Sequence, residues 1–226
     1  MKELTLSKLV HLAIDVQPEF YENLFFWRAR HFPVAIRKFS NQLAEFAVPT
    51  KWVVYEPDEG LPDDSKGTLI KTLELAKTGL TARDDIFPKR SEDAFNGRAG
   101  LDEILWEGGV DTVVITGMNA SACVAYSAVG ALRCGFRCIV ITDLLADEEC
   151  WWMDPIKFLR KGLVKQEIDS VIYTNRDWYD RLHFMTSAEF LAYLKQEPGM
   201  PLPATPAPNE EQIARIVGRK FDDCGL

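Results

Sequence analysis

Basic charge, clustered histidine and paired cysteine are all scarce in this sequence, and each scarcity closes a class of function. Lysine and arginine number 26 against 34 aspartates and glutamates, for a net charge of -8, and the basic residues are dispersed along the chain. Binding nucleic acid or an anionic membrane calls for a basic patch or stripe. Neither is therefore an expected partner; a small molecule or a protein is. The only histidines are His11, His31 and His183, far apart in the chain. A nitrogen-rich zinc or iron site needs such residues gathered, so no metal and no cofactor is expected. The five cysteines, Cys123, Cys134, Cys138, Cys150 and Cys224, are odd in number and form no CxxC pair. That pattern fits reduced thiols rather than a disulfide framework or a zinc module. No run reaches the ~18 uncharged apolar residues of a membrane span. Met1-Lys2-Glu3 leads into polar residues rather than the apolar core of a signal peptide. The expectation is a cytoplasmic protein.

What is present is enough apolar residue for one sizeable core: 47% of 226 residues are hydrophobic. Short β-branched or apolar runs recur at Leu9 to Val16, Trp52 to Tyr55, Asp85 to Phe87, Thr112 to Thr116, Cys138 to Thr142 and Ser170 to Tyr173. Helix-like stretches alternate with them at Pro33 to Phe46, Ser65 to Lys77, Leu101 to Trp106, Ser121 to Cys134, Pro155 to Leu163 and Ser187 to Lys195. Such alternation is the mark of βαβ units. Thr112-Val113-Val114-Ile115 and Cys138-Ile139-Val140-Ile141 do not alternate with polar residues, which suits central strands covered on both faces. The expected fold is a three-layer α/β/α domain with an open, mostly parallel six-stranded sheet. Gly79, Gly108-Gly109 and Gly135 fall where helices should end, and Ser187 is the expected N-cap of the last helix. Gly108-Gly109 precedes a strand instead of following one, so no dinucleotide-binding glycine fingerprint is present. Closely spaced prolines at 201, 203, 206 and 208 divide the chain into a domain over 1–197 and a C-terminal arm over 198–226.

Ligands of an open parallel sheet bind beyond the carboxyl ends of its strands. Three reactive residue types fall at such ends: Asp15 after the first strand, Lys89 after the third, and Cys123 a short turn after the fourth. A cysteine in the first turn of a helix, beside a lysine, is favoured as thiolate. Asp15 is placed to take the thiol proton, and turn amides to hold an oxyanion. Taken singly, each residue has a plainer reading. The cysteine fills core, the aspartate caps a turn and the lysine is solvated. The aromatics Phe20, Tyr21, Phe25, Phe26, Trp27, Trp151 and Trp152 either wall a pocket or pack core and subunit interfaces.

Three segments together carry a family resemblance. Asp15-Val16-Gln17-Pro18-Glu19-Phe20 resembles the D-x-Q-x-x-F opening of the isochorismatase-like cysteine hydrolases, which include nicotinamidases, N-carbamoylsarcosine amidases, biuret hydrolases and ureidoacrylate amidohydrolases. Phe87-Pro88-Lys89, with Ala94-Phe95 beyond it, resembles their lysine segment, and Gly117 to Val124 their G-x-x-x-x-x-C-V nucleophile turn. The resemblance implies a catalytic triad of Asp15, Lys89 and Cys123, and a non-proline cis peptide at Met118-Asn119. It further implies an oxyanion hole from the Asn119 and Cys123 amides, and substrate contacts from Phe20, Gln17 and Asn119. The implied reaction is cleavage of a C–N bond in a small amide or ureido compound through a thioester. Isochorismatases proper lack the cysteine and cleave a vinyl ether. Family members are commonly oligomers, so a homo-oligomer is expected.

The match departs from the family pattern at Asp93, Arg98 and Ala120, where serine or threonine is usual. The metal-binding histidines of nicotinamidases have no counterpart in Tyr55 to Gly60. The alternative reading is a catalytically silent member of the family serving as an interaction module.

Overall fold

The computed structural model describes residues 8–21, 24, 26–55, 85–96, 100–147 and 181–196. The apolar run after Lys8 forms strand β1 (Leu9–Ile14), and all six of its residues are buried. It lies at the centre of a six-stranded sheet of order β3-β2-β1-β4-β5-β6, in which every neighbouring pair is parallel. The other strands are β2 (Thr50–Tyr55), β3 (Asp85–Lys89), β4 (Thr112–Gly117), β5 (Arg137–Leu145) and β6 (Leu182–Met185). Parallel strands need crossovers that cover the sheet faces. The described helices are α1 (Pro18–Tyr21), α2 (Phe26–Ala44), α3 (Leu101–Glu107), α4 (Ala125–Arg133) and α5 (Ser187–Leu194).

Successive strand residues point to opposite faces, so β1 feeds two cores. Leu9 and Ala13 join Ile36, Phe39 and Leu43 of α2 and Phe190 and Leu194 of α5. Val10, Leu12 and Ile14 join Leu101 and Leu105 of α3 and Ala128 and Leu132 of α4. The three-layer α/β/α arrangement follows directly from this alternation.

Several boundaries differ from the sequence expectation. Helix α2 begins at Phe26 rather than Pro33, and Pro33 lies inside it; proline reads as a first-turn residue because it lacks an N–H, yet the helix runs through it. Strand β3 continues through Pro88 to Lys89, which its place at the sheet edge permits. The sixth described strand is Leu182–Met185, whereas the expected strand at Ser170 to Tyr173 lies outside the described residues. So do the expected helices at Ser65 to Lys77 and Pro155 to Leu163, Gly79, Arg98 and the arm. Thr186, not Ser187, caps α5, because Thr186 and Glu189 form a reciprocal capping box. Ser187 instead turns its N–H and hydroxyl to the Asp143 carboxylate, at 2.7 and 2.6 Å. Helix α4 does end as expected: the Gly135 and Phe136 N–H groups donate to Leu132 O and Ala131 O at 3.1 and 3.0 Å. That pattern is a Schellman motif, and Gly135 supplies its positive φ of 89°.

Candidate active site

The strand order reverses direction between β1 and β4, and in open α/β sheets ligands bind where the carboxyl ends of such strands part. Gly117 lets the two ends approach closely. Its φ is 122°, and a Cβ there would overlap the backbone of Ile14. The chain then passes through a cis peptide at Met118-Asn119 and one turn of π-helix over Ala120–Val124, a form often found at functional sites. Cys123 lies in that turn. Two backbone bonds tie the turn to the end of β5: Ala120 N–H to Ala146 O at 2.8 Å and Ala146 N–H to Gly117 O at 3.1 Å. The buried Asp147 carboxylate accepts the Ser121 N–H at 2.7 Å.

Just past the end of the neighbouring strand β1, Asp15 adopts a left-handed φ of 48°, a conformation short polar side chains tolerate better than most. Its N–H donates to Val53 O and its carbonyl accepts the Gln17 N–H, both at 2.8 Å, so the bend is held from both sides. Lys89 closes the edge strand β3 and reaches back toward β1. Its Nζ stands 2.8 Å from Asp15 Oδ2, with both side chains 1% exposed. The same ammonium donates to Ser91 O at 2.9 Å and Glu92 O at 3.3 Å. An ammonium has three N–H groups, and these three acceptors account for them. Lys89 is therefore placed as a fixed charge rather than as a proton donor to substrate.

Burial raises the proton affinity of the Asp15 carboxylate, against the opposing pull of the Lys89 ammonium and the Cys123 thiol. Burial also pushes the Cys123 thiol up to about 12, reinforced by the Asp15 charge and opposed by Lys89 and the Asn119 amide. This reverses the expected thiolate: lysine and turn amides act in the anticipated direction, but desolvation and the adjacent carboxylate outweigh them. Burial thus favours the neutral thiol of Cys123 and raises the proton affinity of the Asp15 carboxyl beside it. Such a pair is arranged for proton transfer to Asp15 as the sulfur attacks.

The family model described as Isochorismatase domain matches residues 10–150, which span β1 through the end of β5 and all three of these residues. The chain belongs to the isochorismatase family. This is a family of hydrolases, and its solved members share the fold seen here. A putative isochorismatase from Burkholderia xenovorans LB400 is 19% identical and superposes with a TM-score of 0.65, covering 94% of this chain and 99% of that one. A cysteine hydrolase from Pseudomonas syringae pv. phaseolicola is 14% identical, with a TM-score of 0.59 and coverage of 86% and 96%. An N-carbamoylsarcosine amidase from Thermoplasma acidophilum is 23% identical, with a TM-score of 0.53 and coverage of 80% and 98%. Comparison with curated proteins gives no match.

Within this isochorismatase-family chain, Asp15, Lys89 and Cys123 meet in space as described. The Asn119 amide is directed at the Cys123 sulfur. Gln17 ties the chain after β1 to the end of β2: its Nε2 donates to Tyr55 O at 3.1 Å and its Oε1 accepts the Tyr55 N–H at 2.6 Å. Phe20 packs edge-on to the Tyr55 ring at 6.3 Å, and that ring lies 5.4 Å from Lys89 Nζ. Tyr55, which meets Gln17, Phe20 and Lys89 here, was not singled out from the sequence, although its place at the carboxyl end of β2 was the available signal. Ala120 is fully buried in the core beneath the turn. The Asp93 carboxylate accepts the Phe95 N–H at 2.9 Å. Among the described residues, no three His, Cys, Asp or Glu side chains gather as a metal site, and no helix is long and apolar enough to cross a membrane.

Proposed function

We propose that this protein is a metal-independent cysteine hydrolase that cleaves a C–N bond of a small carboxamide, carbamoyl or ureido compound. The observation that carries the reading is the convergence of a buried thiol, a carboxylate and a lysine at the strand switch point. Cys123 sulfur attacks the substrate carbonyl as Asp15 takes the thiol proton. The Asn119 and Cys123 amides receive the oxyanion, where each well-placed donor is worth ~3 kcal/mol. Collapse of the tetrahedral species breaks the C–N bond, and Asp15 returns the proton to the departing amine. Water then attacks the thioester, again giving a proton to Asp15, and the acid leaves as sulfur recovers it. Lys89 keeps the Asp15 charge in place through both halves.

The test is ammonia or amine release from a panel of carboxamides, carbamoyl compounds and ureides, by the wild type and by Cys123→Ala. Turnover of at least one class by the wild type, abolished in the variant, is expected. Hydrolysis that survives loss of the thiol overturns the mechanism.

A further inference from the structure

Cys123, Ser127 and Gly130 stand at i, i+4 and i+7, a spacing that places them along one stripe of the helical segment that begins with the nucleophile turn. The stripe faces the loop that follows Lys89. Ser127, fully buried, takes the Ala94 N–H on its Oγ at 3.0 Å and directs its own hydroxyl to Glu92 O at 3.4 Å. Glu92 O is also one of the three acceptors that hold the Lys89 ammonium. One turn further on, the Asp93 carboxylate occupies the space where any side chain at position 130 would stand, because a Cβ on Gly130 would overlap it.

We infer that Ser127 is a positioning residue, and Gly130 its steric complement: together they dock the 90–95 loop on the nucleophile helix and so set Lys89 against Asp15 and Cys123. The inference rests on the proposed role of the triad and adds to it the device that keeps two distant segments in register. A serine at 127 is buried with a purpose a packed alanine could not serve, since the Ala94 N–H would lose its acceptor.

The experiment follows the alkylation rate of Cys123 by iodoacetamide at one fixed alkaline pH, read on the Cys123 peptide by mass spectrometry in the full chain. Thr and Val have the same shape and differ by the hydroxyl, so Ser127→Thr and Ser127→Val form the matched pair. The Val chain is expected to react about tenfold more slowly, the effect of one unit in thiol acidity as Lys89 loses its anchor, with the Thr chain within about twofold of wild type. Equal rates for the two overturn the inference, even where both melt at lower temperature, because Ser127 is then a packing residue only. A second pair stands independently of their folding. Gly130→Ala is expected to slow alkylation, and adding Asp93→Ala to it to restore the rate; a double variant no faster than the single one overturns the docking. These rates need no substrate, so failure of the hydrolase reading appears separately, as absence of wild-type turnover on the panel.

Discussion

Two buried ionisable side chains stand four residues apart, His11 within β1 and Asp15 just after it, and they differ in what faces them. His11, fully buried on the α2 side, has hydroxyls as its hydrogen-bond partners: Thr50 Oγ1 lies 3.1 Å from its Nδ1 and Thr116 Oγ1 2.8 Å from its Nε2. Ser40 completes the group by donating to Thr50 Oγ1 at 2.9 Å. With no opposite charge beside it, burial lowers the His11 pKa to about 3, and the ring is neutral. Asp15, as deeply buried, has the Lys89 ammonium at 2.8 Å. The difference teaches that hydroxyl partners leave burial of His11 unopposed, whereas the Lys89 charge opposes the burial that raises the proton affinity of Asp15. Of the two, Asp15 is the one with a thiol, that of Cys123, beside it.

The largest expected effect comes from making the Asp15 site resemble the His11 site. Lys89→Met leaves a buried carboxylate without its cation, which costs about 3 kcal/mol of stability by denaturant titration. Turnover should fall by at least about a thousandfold if proton transfer from the thiol depends on that charge. The double variant Asp15→Asn/Lys89→Met should recover much of the stability and none of the turnover. Stability restored together with activity would break the comparison.

Acid sharpens it from the other side. Below pH 6.5 the unfolded chain protonates His11 while the native chain holds it neutral down to about 3. Stability should therefore fall as pH drops through that window, by up to about 1.4 kcal/mol per pH unit. His11→Gln should flatten the slope. An unchanged slope would remove His11 from the account.

Asp93 behaves in the opposite sense. Burial raises its pKa to about 6, with the Phe95 N–H and nearby cations opposing, so its native form gains stability from protonation that is lost as pH rises from about 4 through 6. Because the residue is partly exposed, Asp93→Asn should stabilise the chain at pH 7 by no more than about 1 kcal/mol. The smallest effect is remote from both sites: Thr186→Ala, which removes the capping box of α5, should cost about 1 kcal/mol and leave turnover untouched.

The central strands were legible because they are continuous apolar runs, which only a sheet covered on both faces accommodates. Strand β6 was not, because Leu182-His183-Phe184-Met185 is four residues long, contains a histidine and has no β-branched residue. Asp15, Lys89 and Cys123 could be picked out because each stands at or just past the carboxyl end of a strand. The direction of the Cys123 shift could not, since it depends on the depth of burial and on the adjacent carboxylate, which no local pattern encodes. Gln17 was visible as a motif residue, but its engagement with the Tyr55 backbone needs β1 and β2 paired in their actual register. Ser127 and Gly130 went unread for a similar reason, although the i, i+4, i+7 spacing from Cys123 was there to see.

The most direct measurement is the titration of the Cys123 thiol, read from the pH dependence of its alkylation in the wild type and in Asp15→Asn. The account predicts a wild-type midpoint far above that of an ordinary thiol, toward about 12, and a midpoint at least about one unit lower once the carboxylate is neutralised. Coincident curves, or a higher midpoint in the variant, would contradict the coupling of Asp15 to Cys123 on which the proposed hydrolysis depends.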